Sequence, residues 1–305
     1  MLKLAKLVVF IVIPAMLVNA WFVSRQVREA STFGGGRVVN ITGPDLNVRE
    51  YGPASGKGAI VLLHGFAGSI EWWTDVAPKL VEETGRKVIA VDLVGHGGSE
   101  SPLDPDAYGA EGQALAVGRT LAELHASDVV LVGHSMGGHI ATLVAQREPD
   151  VIARVVVIDS FGAAGLRDRG PLQDATCWPI VGAALDRLRA FDLVTKSSLQ
   201  QAFDSHFEVP VFAYRSLKQL IHRGVCESTA GDEMNAKRPE ALQLAQLGKP
   251  VQVIWGQRDV LSPTVANLAA YDKAGLTPEV VKGAGHSPQV EAPDDVVRII
   301  AAFAK

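Results

Sequence analysis

The stretch Val129 to Ile140, VVLVGHSMGGHI, constrains this chain more than any other part of it. A β-branched apolar run, Val129 to Val132, predicts a strand, and small and apolar residues continuing at helical spacing through Ala141 and Ala145 predict a helix. Between them stand Gly133, Ser135 and Gly137, in the spacing Gly-x-Ser-x-Gly. Only a sharp turn joins a strand to a helix in so few residues. Glycine suits both flanks because backbone segments approach there too closely for a Cβ, and the serine between them is expected in a strained conformation that pushes its hydroxyl out of the sheet. The amide of Met136, in the first turn of the helix, points the same way and can donate to an oxygen that gains negative charge. The spacing also arises by chance in Gly-rich loops, and this chain has 30 glycines, so the strand before and the helix after are what give it meaning.

Strand-like and helix-like runs alternate on either side of that turn, without internal repeat. Val38 to Ile41 and Leu46 to Tyr51 read as two short strands around Gly43-Pro44-Asp45, followed by Ala59 to Leu63, Lys87 to Val91, Val155 to Ile158, Lys249 to Trp255 and Glu279 to Val281. Ala59 to Leu63 is apolar throughout, as suits a strand buried on both faces. This pattern predicts an α/β fold, a mostly parallel sheet with helices on both faces. From Gly162 to Leu247 the rhythm changes to short amphipathic helices, Ile180 to Phe191, Ser198 to Phe207, Val211 to His222 and Arg238 to Leu247, broken by Pro171, Pro179 and Pro210. The expected organisation is an N-terminal segment at 1–30, a core at 31–161 and 248–305, and a helical insertion at 162–247. With 305 residues, 48% of them hydrophobic, the chain can fill such a core.

Several classes drop out on composition. Lys plus Arg (29) against Asp plus Glu (33) gives a net charge of −4 with no basic run, so no nucleic-acid partner is expected. Two cysteines exclude a Cys-rich zinc site, and the eight histidines form neither His-Glu-x-x-His nor His-x-His, so neither metal nor cofactor is expected. The Gly-rich loop Asp92 to Ser99 lacks the Gly-Lys-Ser/Thr of a phosphate cradle and is assigned to turn geometry.

The amino terminus is different in kind. Met1 to Lys6 carries two lysines, Leu7 to Val18 is apolar apart from Pro14, and Leu7 to Val23 reaches the short end of what crosses a bilayer. Val18-Asn19-Ala20 resembles a cleavage site, so the segment reads as an uncleaved signal-anchor or a removed signal peptide. Attachment to a membrane through this segment, with the body outside the cytoplasm, is the preferred reading; the opposite orientation is the alternative. In an exported body Cys177 and Cys226 are expected to form a disulfide.

A nucleophilic serine needs a base, an acid to orient that base, and donors for an oxyanion. His286 lies in a Gly-rich loop after the last predicted strand and Asp259 just after the preceding one, at the sheet edge where α/β folds bind ligands. The amides of Phe66 and Met136 are the candidate donors. Asp159, which also ends a strand, is the rival acid. His134 and His139 are expected to pack around the turn, His64 to stabilise its loop and His96 to belong to the Gly-rich turn. The order Ser135, Asp259, His286, with His64-Gly65 after an earlier strand and the loop Asp92 to Ser99, closely resembles the α/β-hydrolase superfamily over about 37–305.

That resemblance implies Ser135 as nucleophile, His286 as base then acid, Asp259 as orienting acid, Phe66 and Met136 as oxyanion hole, and 162–247 as the variable cap. A serine at 135 disfavours the dehalogenases and epoxide hydrolases of this fold, which place an Asp there. Phe66 breaks the His-Gly-Gly-Gly pattern of one lipase and esterase group. The expected activity is a serine hydrolase cleaving an ester of a small or medium apolar acyl group through an acyl-enzyme. Cofactor-free perhydrolases or haloperoxidases and carbon–carbon bond hydrolases share such a triad and stay open, as does a non-catalytic ligand-binding protein. Trp178, Phe191, Phe203, Phe207, Phe212 and Tyr214 offer either an apolar roof over the site or ordinary packing of cap on core.

Overall fold

The apolar runs of the sequence become the strands of one sheet. In the computed structural model, which describes residues 8–53, 58–163, 174–228 and 238–305, the strands are β1 (Arg37–Val39), β2 (Leu46–Tyr51), β3 (Ala59–Leu63), β4 (Lys87–Val91), β5 (Val129–His134), β6 (Ile152–Ile158), β7 (Val251–Gly256) and β8 (Pro278–Val281). Lys3, Lys6, Leu7 and Pro171, on which some expectations rest, lie outside the described residues. The order across the sheet is β1-β2-β4-β3-β5-β6-β7-β8. Only β1 with β2 and β2 with β4 pair antiparallel; every later pairing is parallel. The sheet is thus mostly parallel, and β3, β5, β6, β7 and β8 all end at the same edge.

Each central strand feeds two cores at once. Val61 and Leu63 of β3, with Leu131 and Val157 of its neighbours, face a cluster that includes Ile140, Val144 and Leu121. Ile60 and Leu62, with Val130, Val132 and Val156, face a second cluster with Trp73, Leu80, Val296 and Ile300. Helices Ala110–Glu123, Met136–Arg147 and Thr264–Lys273 cover the first face; Ala77–Thr84 and Pro293–Phe303 cover the second. Side chains alternate across a strand, so a run apolar at every position has to be covered on both sides.

Between β6 and β7 the described residues are helical or irregular. They hold the helices Val181–Leu185, Asp192–Gln200, Val211–Gln219, His222–Glu227 and Glu240–Ala245 and a 3-10 turn at Asp186–Ala190. The helix expected over Ser198 to Phe207 instead runs Asp192–Gln200, because Phe191 is extended (φ −87°, ψ 123°) and Asp192 opens the first turn. Beyond it, the Gln200 side chain donates to the carbonyls of Asp204 (3.1 Å) and Phe207 (3.2 Å) and closes a non-helical turn. Cys177 and Cys226 are disulfide-bonded, with Cα atoms 5.4 Å apart, tying the start of the insertion to helix His222–Glu227. Helix Glu240–Ala245 sits with the core, since Ala241 and Leu244 belong to its first cluster.

The N-terminal segment differs from the expectation of a spanning element. A π-helical turn, Val8–Val12, leads into a helix of 12 residues, Ile13–Ser24; at about 1.5 Å per residue the helix extends roughly 18 Å, short of the hydrocarbon layer. Among the described residues no helix is long and apolar enough to cross a membrane. The helix docks on the insertion: Asn19 donates to the Ala183 carbonyl (3.3 Å) and accepts from Arg187 (2.9 Å), Arg223 donates to the Ser24 carbonyl, and Val23 is buried. Leu17, Trp21 and Phe22 of this helix, and Phe10 of the turn before it, are exposed.

Candidate active site

Ser135 stands between β5 and helix Met136–Arg147 with φ 50° and ψ −121°, a conformation L-residues adopt only when their surroundings impose it. The surroundings here are backbone. A Cβ at Gly133 would lie 2.2 Å from the Gly137 carbonyl oxygen, and one at Gly137 would lie 2.5 Å from that of His64. Both flanking glycines are therefore required by close approach. Gly65 extends the rule to the loop after β3, where a Cβ would meet the Ser135 Cβ at 3.1 Å. That proximity brings the Phe66 segment alongside the serine. Ser135 and Phe66 are partly exposed into a common cavity.

Asp259 and His286 come from adjacent strand ends. A Cβ at Gly256 would collide with the Gly285 carbonyl at 1.8 Å, so the acid loop and the histidine loop run side by side only because position 256 lacks one. His286 Nδ1 lies 2.9 Å from Asp259 Oδ2, with both residues buried. The other carboxylate oxygen accepts from the amides of Leu261 (2.8 Å) and Ser262 (3.2 Å), and the Ser262 hydroxyl donates to Oδ2. Burial works to raise the Asp259 pKa, but the charge and hydrogen bond of His286 and the Ser262 donors hold it at about 2. An ionised carboxylate only accepts, so the proton between them belongs to Nδ1 and Nε2 is left as the basic nitrogen.

Asp159 lies against this pair; its carboxylate, that of Asp259 and a nitrogen of His286 fall within 4.8 Å of one another. It accepts from the Gly256 amide at 3.0 Å, and burial, then the Asp259 charge, push its pKa well above the ordinary value. Asp159 thus takes up a backbone amide while Asp259 meets the His286 ring, which separates the two acids by geometry.

The other histidines are committed elsewhere. His134 Nε2 donates to the His286 carbonyl at 2.7 Å, and burial, then the His286 ring, lower its pKa to about 3. His64 donates from Nδ1 to the Gly65 carbonyl (2.7 Å) and accepts the Leu93 amide at Nε2 (3.1 Å). His96 bonds the Val94 carbonyl (3.0 Å), and His139 lies beside Glu240. Glu291 was not among the expected residues: it accepts the amides of Gly285 (3.0 Å), Ser287 (3.2 Å) and Asp204 (2.7 Å), bracing the His286 loop against the insertion.

The cavity above Ser135 and His286 holds about 370 Å³. Its core-side wall is Phe66, Trp72 and Phe161, and the insertion supplies Leu185, Leu188, Val194, Leu199 and Leu217. None of the six insertion aromatics considered for a roof lines it. Phe203, Phe207, Phe212 and Tyr214 instead pack behind the wall, in a cluster with Trp72, Leu199 and Leu217, with Phe203 stacked on Trp72 at 5.6 Å, while Trp178 and Phe191 point into solvent. The insertion aromatics are taken up by packing on one another and on Trp72, and the roof is left to these aliphatic side chains with Thr176, Arg189, Ser198 and Gln201 between them.

Known proteins agree with this architecture. A 102-residue stretch is 47% identical to a mouse protein described as sn-1-specific diacylglycerol lipase ABHD11, covering 33% of this chain and 32% of that one, so this match spans about a third of the relative's length. Lipase 1 of Psychrobacter immobilis is 27% identical over 86% of this chain and 81% of its own. Among solved structures, one described as a putative aryl esterase from Burkholderia cenocepacia superposes with a TM-score of 0.70 at 22% identity, over 88% of this chain and 97% of that one. Residues 58–293 match the family described as the alpha/beta hydrolase fold, and with the strand order and the turn at Ser135 in place, this chain belongs to that family.

Proposed function

We propose that the protein is a serine hydrolase that cleaves carboxylic esters of apolar acyl groups through an acyl-enzyme. The observation carrying this reading is the buried Asp259 carboxyl paired with Nδ1 of His286, whose ring lines the same largely apolar cavity as the strained Ser135. Ser135 Oγ attacks the ester carbonyl while His286 Nε2 takes its proton and then hands it to the leaving alcohol. Water, activated by the same nitrogen, releases the acid and restores the serine. The amides of Met136 and Phe66 receive the oxyanion in both halves. Asp259 orients the ring and stabilises the imidazolium without itself changing protonation, as its low pKa requires.

The aliphatic roof and a volume near the lower end of ligand pockets favour a single acyl chain of short to medium length in the cavity. Lipid-derived esters fit the lipase descriptions of the relatives and the exposed apolar side chains of Phe10, Trp21 and Phe22. On this reading the body sits outside the cytoplasm and meets a lipid surface through its N-terminal segment; the disulfide fits an oxidising compartment.

A fluorophosphonate probe tests the chemistry. Labelling of the parent protein, mapped to Ser135 and abolished in Ser135→Ala, is expected; labelling elsewhere or none at all contradicts it. Rates for p-nitrophenyl esters of increasing chain length should pass through a maximum and then fall as the acyl group outgrows the cavity.

A further inference from the structure

Ser135 contributes more than a hydroxyl. Its carbonyl and the Met136 amide belong to one planar peptide unit, so whatever fixes the carbonyl also fixes the direction of the N–H. The carbonyl accepts the Gly138 amide at 2.8 Å, which is ordinary first-turn geometry, and the hydroxyl of Ser160 at 3.1 Å, which is not. Ser160 follows β6 and reaches under the helix only because residue 138 is glycine; a Cβ there would sit 2.4 Å from the Ser160 oxygen.

The Ser160 hydroxyl has a single proton to give the Ser135 carbonyl, and behind it lies the buried carboxyl of Glu240. Glu240 Oε2 lies 2.6 Å from Ser160 Oγ and 3.1 Å from His139 Nδ1, and Oε1 accepts the Thr142 hydroxyl at 2.8 Å. Tyr271 donates to the Ser160 carbonyl at 2.9 Å, fixing the same residue from the other side. Glu240, Thr142, Tyr271, His139 and Ser160 are all buried. One O–H cannot donate to the Ser135 carbonyl and to Glu240 together, so the row closes with Glu240 in its neutral form donating to Ser160 Oγ and Ser160 donating to the carbonyl; burial favours that form of a carboxyl.

We infer that Ser160 and Glu240 are positioning residues that aim the Met136 N–H at the oxyanion, Ser160 by holding the Ser135 carbonyl and Glu240 by holding the Ser160 hydroxyl. The inference rests on the reading of Ser135 as nucleophile and the Met136 amide as donor. Neither residue touches the reacting atoms. Their loss lets the peptide tilt, and a tilted donor matters where charge has developed on oxygen, in the transition state, far more than in the bound ester.

The test uses the full-length protein with Ser160→Ala, with Glu240→Leu, which removes the donor to Ser160, and with the double variant. For p-nitrophenyl butyrate, kcat per fluorophosphonate-titrated site should fall by about tenfold in each single variant, a fraction of what deleting a donor costs, with KM within about twofold. Affinity for a trifluoromethyl ketone, whose serine adduct carries an oxyanion, should fall by the same factor as kcat/KM. The double variant should be no worse than Ser160→Ala alone, because Glu240 acts through that hydroxyl.

Unchanged kcat and ketone affinity in a folded Ser160→Ala variant, or a drop in melting temperature alone, overturns the inference; multiplicative losses in the double variant overturn the part assigned to Glu240. If Glu240→Leu does not fold, Ser160→Ala, which removes a single oxygen, decides. Failure of the parent protein to label at Ser135 would instead sink the nucleophile reading itself, so the two failures are told apart.

Discussion

The catalytic edge of the core and the helical insertion above it are built by opposite means. At the edge, backbone touches backbone: the approaches at Gly133 and Gly256 leave no room for a methyl group, and Asp259 and His286 are buried with fixed partners. In the insertion, short helices meet through aliphatic and aromatic side chains, and Leu193 and Val211 are 82% and 76% exposed. On the proposed reading one region sets where charge develops, and the other sets which acyl group fits. Changes at the edge should lower kcat for every substrate, whereas changes in the insertion should alter the chain-length profile.

The sharpest break of that division is at the residues proposed to react. Ser135→Ala or His286→Ala should lower kcat by at least ~10³ for esters of every chain length. Gly256→Ala comes next: its methyl must displace the Gly285 carbonyl, moving His286 away from Asp259, and kcat should fall by ~10² as for other displacements near 1 Å. A normal rate in that variant, measured on short and long esters alike, would show that the edge yields more than the contacts suggest.

On the insertion side, Cys177→Ser opens a link across 49 residues; chain entropy puts its contribution at about 4 kcal/mol, read from urea unfolding of oxidised protein. Because the insertion roofs the cavity, turnover of long esters should be lost at lower urea than that of short ones. Equal loss of both would mean that the two regions unfold as one. Acid gives a core-side counterpart. The Asp259 pKa is depressed in the folded state, to about 2, so its stabilisation is present above the unfolded carboxylate's pKa and disappears as pH falls through 2; the amount is about 2 kcal/mol. Stability of the parent should fall more steeply between about pH 4 and 2 than that of Asp259→Asn. The smallest effect is expected at the rim: Leu188→Gln should raise KM severalfold for octanoate esters and leave acetate esters unchanged.

What could be read before the structure follows the same division. The limits of β2, β3 and β4 match the expected ones because apolar, β-branched runs bounded by turn residues have one way to be buried. Ser135, Asp259 and His286 stand out because each follows a strand in a short Gly- or turn-rich segment. Glu240 and Glu291 do not, since a lone glutamate in an amphipathic helix reads as a solvated face and Glu240 meets Ser160 across 80 residues. The register of Asp192–Gln200 was hidden too: Phe203 and Phe207 are spaced as for a helix but stack on each other at 5.6 Å in a turn. At the amino terminus, hydropathy measures apolar length but not the polar contact of Asn19 with the insertion that docks the helix.

The central claim, that Ser135 carries the acyl group during turnover, is tested most directly by quenching the protein with acid during the pre-steady state on p-nitrophenyl butyrate and mapping the adduct by peptide mass spectrometry. The account predicts a butyryl increment on the peptide containing Ser135, formed at the rate of the nitrophenol burst and absent from Ser135→Ala. A burst with the acyl group on another residue, or steady turnover surviving in Ser135→Ala, would contradict it.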